Sequence, residues 1–519
     1  MNVESSWSKA RFRSERAFLK THAQSRVGRL MLPVVAAVLG ASCIGYHDVP
    51  DPVEPQLPRV EIHLDQKFQT MSGFGASSAW TAPNMSAEMA DFFFSEDKGI
   101  GLSLLRVQIK PWGETTELGT VDLAVERGVA VWGAPWSPPP EWKDNNSTVD
   151  GGYLLPEHYQ DWADRLADFA AQMDARGTPV FAISAQNEPD YVARWDTCEW
   201  EPDDFADFIF DNLAPALEER DLSTKILAPE SQNWGRLAEF ADPILDRDEA
   251  AEHIYALAAH GYDHSPSDYT RGREAGFQIW QTEVSDPEDA PGDRSINSGL
   301  RVASEMFDDI SVAQVSAWHY WWLLPSGEAD ESHESNGALF NGEYSPTFRA
   351  YAMGQFSKFV RPGFQRVGAS EPARKKVRTL AFSSEKAERL VIVALNEGED
   401  ALTVDVALPD GLRATQAQLW LTDAEHQLEQ LTPIDVQAEP VSDPGAQDPI
   451  TGPYFTVELR PRSIATFVLD EPGEDQGTGG NQGASGDGDG DDSPGDGDGD
   501  EPIAGGGPGG GDSGLGGAR

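Results

Sequence analysis

Cysteine is nearly absent: the 519 residues contain 2, Cys43 and Cys198. A disulfide framework is thereby excluded, and Cys198 reads as a packed thiol rather than a nucleophile. Basic residues are scarce as well, 39 Lys and Arg against 87 Asp and Glu, for a formal net charge of -48. A field of that sign repels phosphate backbones and anionic headgroups, so nucleic acid is not an expected partner. The apolar run Leu30 to Leu39 falls well short of the roughly 20 residues that a membrane-spanning helix needs. No His-Glu-x-x-His string occurs, and the Asp-Gly repeats near the C-terminus lack the full spacing of a calcium loop. Neither a metal nor any other cofactor is expected. Aromatic residues, by contrast, are plentiful, with 15 Trp and 23 Phe in a chain that is 39% hydrophobic. That content builds a large core and is foreign to a disordered chain.

Texture divides the chain. Residues 1–43 combine Lys9, Arg11, Arg13, Arg16, Lys20, Arg26 and Arg29 with the short apolar run and then Gly40-Ala41-Ser42-Cys43, which reads as an export signal. Small residues before Cys43 are similar to a bacterial lipoprotein cleavage site, but the usual Leu is displaced by one position, to Leu39. Lipidation of Cys43 and ordinary signal cleavage both stay open, and the product is expected to be secreted or a cell-surface lipoprotein. A lipid on Cys43 is the one membrane attachment expected. Residues 44–58 carry four prolines and read as a linker. From residue 71 to 357, short apolar strands alternate with amphipathic stretches such as His158 to Ala175 and Pro202 to Arg220. Eight strands are predicted: Met71–Ser77, Leu102–Gln108, Val129–Ala134, Val180–Gln186, Lys225–Pro229, Ala256–His260, Phe277–Thr282 and Val312–Tyr320. This alternation predicts an α/β fold, a closed (β/α)8 TIM barrel. Residues 358–470 turn to alternating strands broken by turn residues, the pattern of a β-sandwich that the strand-like segment 59–70 joins. Residues 471–519 are rich in Gly, Asp and Pro and read as a solvated acidic tail.

Two strings place a carboxylate directly after a predicted buried strand: Ile183-Ser184-Ala185-Gln186-Asn187-Glu188-Pro189 and Ile279-Trp280-Gln281-Thr282-Glu283. In a parallel barrel, the carboxyl ends of the strands form the active rim, so Glu188 and Glu283 face a common cleft. A pair of carboxyls at that place suits glycoside cleavage, with one group protonated and one ionised. Arg106 on the second strand is positioned to hold Glu283 ionised, and Tyr262 after the sixth to orient its other oxygen. Asn187 is placed to bond a sugar hydroxyl. His260 and His264 have a helical metal spacing but sit at a strand end, where a hydrogen-bonded rim histidine is the better reading. Sugar rings stack on indoles, and Trp80, Trp136, Trp318 and Trp321, with Tyr320, fall at or just past predicted strand ends. Trp112, Trp142, Trp195, Trp200 and Trp234 lie in the following loops and extend the candidate cleft.

The chain resembles clan A of the glycoside hydrolases, and within it family 30. The resemblance rests on Asn187-Glu188-Pro189 ending a fourth strand, Glu283 ending a seventh, and Gly73-Phe74-Gly75 on the first. It rests also on Ala134-Pro135-Trp136-Ser137-Pro138-Pro139 after the third, Gln186 to Tyr191, and Phe356 to Gly363. It spans Val60 to Leu469 and implies Glu188 as acid/base and Glu283 as nucleophile of a retaining glycoside hydrolase. The texture is similar to the family's bacterial xylanases. The glucuronoxylan-specific members grip a glucuronate branch with an Arg after strand eight and Tyr residues after the nucleophile. Here those places read Leu323-Leu324-Pro325-Ser326-Gly327-Glu328-Ala329-Asp330-Glu331 and Val284-Ser285-Asp286. The expected substrate is therefore a polysaccharide, xylan without a glucuronate requirement, cut by a monomer. β-1,6-Glucanase, β-1,6-galactanase and glucosylceramidase activities, or a glycan-binding role without catalysis, are the alternatives.

Overall fold

The computed structural model describes residues 57–81, 85–263, 265–285, 293–324, 337–341, 345–372, 374, 376–438 and 452–472. The export signal, Cys43, most of the linker, His264, Asp286, the acidic loop after Leu324 and nearly all of the tail lie outside the described residues.

A first strand, β1 (Arg59–Thr70), precedes eight that close on one another: β2 (Gly73–Ser77), β3 (Leu104–Ile109), β4 (Ala130–Pro135), β5 (Val180–Ser184), β6 (Lys225–Ser231), β7 (Ile254–Ala259), β8 (Gln278–Gln281) and β9 (Ala317–Trp322). Each pairs in parallel with the next, and β9 returns to β2, so the eight form a closed barrel. The eight-stranded α/β barrel is thus the observed fold. Its strands are largely apolar because both faces are covered, with Arg106, Gln108, Glu230, Gln281 and His319 among the buried polar exceptions. On β3, Leu105, Val107 and Ile109 pack outward into the large core beneath the helices, whereas Leu104 packs inward with Trp132, Ala182 and Trp280. Arg106 therefore points into the barrel, and it is fully buried there.

Most predicted strands lie within a few residues of the observed ones, but the last differs. Residues Ile296–Asp308 form a helix that continues as a wide turn over Asp309–Ala313 and stops at Gln314, which adopts φ 54°. β9 accordingly starts at Ala317 rather than Val312. Alternation along β9 then sets the face that each aromatic presents. Trp318 and Tyr320 point outward into the helix-facing core, where the Trp318 indole donates to Asp309 Oδ2 at 2.7 Å and the Tyr320 hydroxyl to the Gly337 carbonyl at 2.7 Å. The placement of Trp318 and Tyr320 on the substrate rim is thus corrected. His319 and Trp321 take the inward face.

Beyond the barrel, a helix over Phe348–Ser357 leads to β10 (Gln365–Ala369), β11 (Val377–Ser383), β12 (Arg389–Asn396), β13 (Leu402–Ala407), β14 (Gln416–Thr422), β15 (Glu429–Gln430), β16 (Ile434–Asp435), β17 (Tyr454–Leu459) and β18 (Ser463–Asp470). β1 joins this layer, antiparallel to β10 and parallel to β13. Register shifts along β1 bend the sheet, and its halves enclose a second core that includes Val60, Ile392, Val404, Phe455 and Phe467. The side domain is the predicted β-sandwich. The barrel rests against it: Gln355 on the linking helix donates to Thr422 Oγ1 at 2.8 Å and accepts from Thr466 Oγ1 at 2.6 Å.

Candidate active site

The ends of six barrel strands bring their side chains together. Asn187 and Glu188 follow β5, Glu230 is the penultimate residue of β6, His260 and Tyr262 follow β7, and Glu283 follows β8. Arg106 reaches the group from β3, and Trp321 from β9. Backbone hydrogen bonds to neighbouring strands hold these post-strand residues: Asn187 N to Pro135 O at 2.8 Å, Glu188 N to Glu230 O at 3.1 Å, His260 N to Ser231 O at 2.8 Å and Gly261 N to Glu283 O at 2.9 Å. Glu188, Glu230 and Trp80 adopt φ of 47°, 62° and 57°, a left-handed backbone that costs residues with side chains on the order of 1–3 kcal/mol. Three such residues around one cleft mark a place where the fold holds side-chain direction against local preference.

An oxygen of Glu188, an oxygen of Glu283 and a ring nitrogen of His260 all lie within 4.8 Å of one another. Glu188 and Glu283 are 5% and 6% exposed, enough to touch a ligand, while Arg106, Glu230 and His260 are sealed behind them. Arg106 donates through Nη1 to Glu283 Oε2 and through Nη2 to Asn187 Oδ1, the latter at 2.5 Å, and Nη2 lies 2.6 Å from Glu230 Oε1. Tyr262 donates its hydroxyl to Glu283 Oε1 at 2.9 Å. Both oxygens of Glu283 are thus occupied. His260 bonds Glu188 Oε1 through Nδ1 at 3.0 Å and Glu230 Oε1 through Nε2 at 3.4 Å.

The electrostatics follow from this packing. Burial by itself lowers a histidine, but the carboxylates of Glu283, Glu188 and Glu230 more than offset it and push His260 up to about 10. At neutral pH it is an imidazolium, and both ring nitrogens donate. Burial raises Glu230, yet Arg106 and then His260 hold it below the ordinary carboxylate range. Glu283 is pushed up by burial and by Glu188 and Glu230, against the pull of His260 and Arg106. Burial and the neighbouring carboxylates raise Tyr262 well above a free phenol, so it stays a donor. The trio of Glu188, His260 and Glu283 has the span of a cation site. Its own charges oppose that use, since the imidazolium and the Arg106 guanidinium already supply two positive groups.

Indoles wall the cleft. Trp80, Trp136 and Trp321 meet in edge and tilted contacts, with ring centroids 5.0 Å (Trp80 to Trp136), 5.8 Å (Trp80 to Trp321) and 5.9 Å (Trp136 to Trp321) apart. The Arg106 guanidinium lies 4.5 Å from the Trp136 ring centroid. Trp80 is the half-buried member, so it offers a ring face to solvent. Of the loop tryptophans, Trp200 and Trp234 are buried in the outer core and Trp142 stacks on His158, whereas Trp112 and Trp195 stay exposed. The candidate residues brought together are therefore Glu188, Glu283, Asn187, Arg106, Tyr262, His260, Trp80, Trp136 and Trp321. Glu230 is the member that sequence reasoning passed over. Its signal was present: the strand predicted to end at Pro229 is followed at once by a carboxylate, the same signature that singled out Glu188 and Glu283.

A family description, glycosyl hydrolase family 30 TIM-barrel domain, matches residues 120–333. Residues 120–333 thus carry a glycoside hydrolase family 30 barrel domain, and the comparisons support that family for the chain. The domain match makes it a glycoside hydrolase, and its similarity runs to the xylanase branch of the family. Glucuronoxylanase XynC of Bacillus subtilis strain 168 is 26% identical over 426 residues, covering 79% of this chain and 92% of that protein. A family 30 subfamily 8 xylanase, Xyn30A from Clostridium acetobutylicum, superposes with a TM-score of 0.68 at 28% identity, over 79% of this chain and 99% of that one. The mouse lysosomal acid glucosylceramidase is 24% identical over 322 residues, covering 55% of this chain and 59% of that protein.

Proposed function

We propose that this family 30 chain is a retaining, endo-acting β-glycanase that cleaves xylan by double displacement, with Glu283 as nucleophile and Glu188 as acid/base. The observation that carries the reading is the approach of the two carboxyls, whose oxygens lie within 4.8 Å. Retention needs carboxyl groups about 5 to 5.5 Å apart, whereas inversion leaves room for a water at about 6.5 Å or more.

The charges support the assignment of roles. Three carboxyls, Glu188, Glu230 and Glu283, face two cations, Arg106 and His260, and the excess of negative charge favours a proton on one carboxyl. Glu230 is held ionised, which leaves Glu188 or Glu283 to carry it. Glu283 accepts at both oxygens, from Arg106 and Tyr262, and a proton there would oppose one of those donors. Among the described residues Glu188 Oε2 takes no hydrogen bond, so Glu188 is the carboxyl placed to present a proton to the leaving oxygen. In the first step Glu283 attacks the anomeric carbon while Glu188 gives its proton to the leaving oxygen. A water, deprotonated by Glu188, then releases the sugar from Glu283. Asn187 directs its carbonyl oxygen to Arg106, which frees its amide hydrogens for a sugar hydroxyl. That bond strengthens as positive charge forms on the ring.

For the substrate, the similarity to bacterial xylanases supports xylan, and the sequence argues against a glucuronate clamp. A bidentate Arg supplies both the charge and the shape that a carboxylate branch needs, whereas Glu328, Asp330 and Glu331 would repel it. Undecorated or arabinose-decorated xylan is therefore expected to be cut at least as well as glucuronoxylan. Mass spectrometry of glucuronoxylan digests tests this. The expected products show no fixed spacing from an acidic branch; a ladder with one branch at a constant distance from the reducing end would show a clamp. We also place the action outside the cell, a reading supported by the basic and apolar character of residues 1–43.

A further inference from the structure

We propose that Glu230 is a positioning residue for catalysis: by holding Arg106 and His260 as a pair of cations behind the cleft, it keeps the catalytic proton on Glu188. The inference rests on the assignment of Glu188 as the acid and extends it to a residue that never meets the substrate.

The geometry is that of a shared counter-ion. Glu230 is completely buried on β6, with Oε1 2.6 Å from Arg106 Nη2 and 3.4 Å from His260 Nε2. Each of its two partners also bonds one of the reacting carboxyls, Arg106 to Glu283 and His260 to Glu188. The Glu230 side chain thus lies behind the pair and meets it through these cations. Its main-chain carbonyl accepts the Glu188 amide at 3.1 Å, tying the two residues together a second time. A strained φ of 62° is maintained to aim the side chain inward. A carboxylate needed only to fill space would not justify this position, since a buried ion pair is at best weakly stabilising compared with apolar packing.

Charge counting gives the consequence. With Glu230 present, two cations face three carboxyls, and the excess of negative charge favours a proton on one carboxyl. If Glu230 were neutral, two cations would face two carboxyls, and Glu188 would ionise at lower pH. The groups that bear on this balance are Arg106 from β3, Glu188 and Asp190 after β5, His260 and Tyr262 after β7, Glu283 after β8 and His319 from β9. Of these, burial drives His319 down to about 3, so it is neutral and does not compete as a cation.

The test uses the full chain with Glu230→Gln and Glu230→Asp, after a thermal melt establishes folding. For Glu230→Gln, the alkaline limb of kcat/KM on xylooligosaccharides is expected to move to lower pH by about one unit or more, the effect of deleting a charge at this range. At pH 7.5 the loss should be far smaller on an aryl glycoside with an activated leaving group, which departs without a proton. Glu230→Asp should return the limb toward that of the parent. A folded Glu230→Gln whose limb does not move, with parallel losses on both substrates, would reduce Glu230 to a structural part and overturn the inference. Nitrogen-15 NMR of histidine-labelled parent protein gives an answer that needs no variant: His260 should be an imidazolium at pH 8, and a neutral ring there also overturns it. Failure of the underlying reading looks different, because Glu188→Ala would then show no dependence on leaving group.

Discussion

Glu283→Gln is expected to lose turnover by at least about four orders of magnitude while keeping the melting behaviour of the parent, the scale seen when an enzyme's nucleophile is removed. The amide matches the carboxylate in shape and can still accept from Arg106 or Tyr262, so packing survives. It cannot form the glycosyl ester, and the double displacement stops at its first step. Glu283→Ala opens a space in front of the anomeric carbon instead. Azide supplied with an activated aryl glycoside should enter there and yield a glycosyl azide of inverted configuration. Residual activity within a few-fold of the parent would remove Glu283 from this role.

The second large effect belongs to Glu188. Proton transfer by a placed acid is worth about 10²–10⁴-fold, and that loss should fall on substrates whose leaving oxygen needs the proton. Glu188→Ala should therefore be severely slowed on xylan yet still form the glycosyl-enzyme from an activated aryl glycoside. That intermediate then accumulates, since no base activates water for its release. Azide needs no base, so it should accelerate this variant and give a product of retained configuration. The opposite stereochemistry of the two rescued variants separates the roles of Glu188 and Glu283. An equal loss on both classes of substrate would argue against Glu188 as the acid.

Much of this site was legible in the sequence because a parallel barrel imposes a simple rule. A strand buried on both faces is written as an apolar run, and a polar residue at its end has the active rim as its place. Glu188 and Glu283 were visible by that rule, and so was the inward cation Arg106, the one charged residue of its strand. The pairing of Arg106 and Tyr262 with opposite oxygens of Glu283 was foreseen and is observed. Glu230 escaped because Pro229 served as a stop, although β6 runs on to Ser231. The error at Trp318 and Tyr320 has a different origin. Strand side chains alternate with a period of two, so the start and register of β9 decide which aromatics face inward. Val312 and Ala313 look strand-like one by one, but they close the preceding helix, and local propensity cannot reveal that. The sandwich was readable in its longer alternating strands, but not in β10, nor in β15 and β16, which span only two residues each. Pairs that short carry no periodicity.

Stereochemistry tests the central claim most directly. Proton NMR of the anomeric signals in the first minutes of xylooligosaccharide hydrolysis, before mutarotation, distinguishes one displacement from two. The account predicts that the β-anomer of the new reducing end appears first and the α-anomer grows in later. Initial appearance of the α-anomer would mean direct attack by water, and would contradict a nucleophilic Glu283 beside a protonated Glu188.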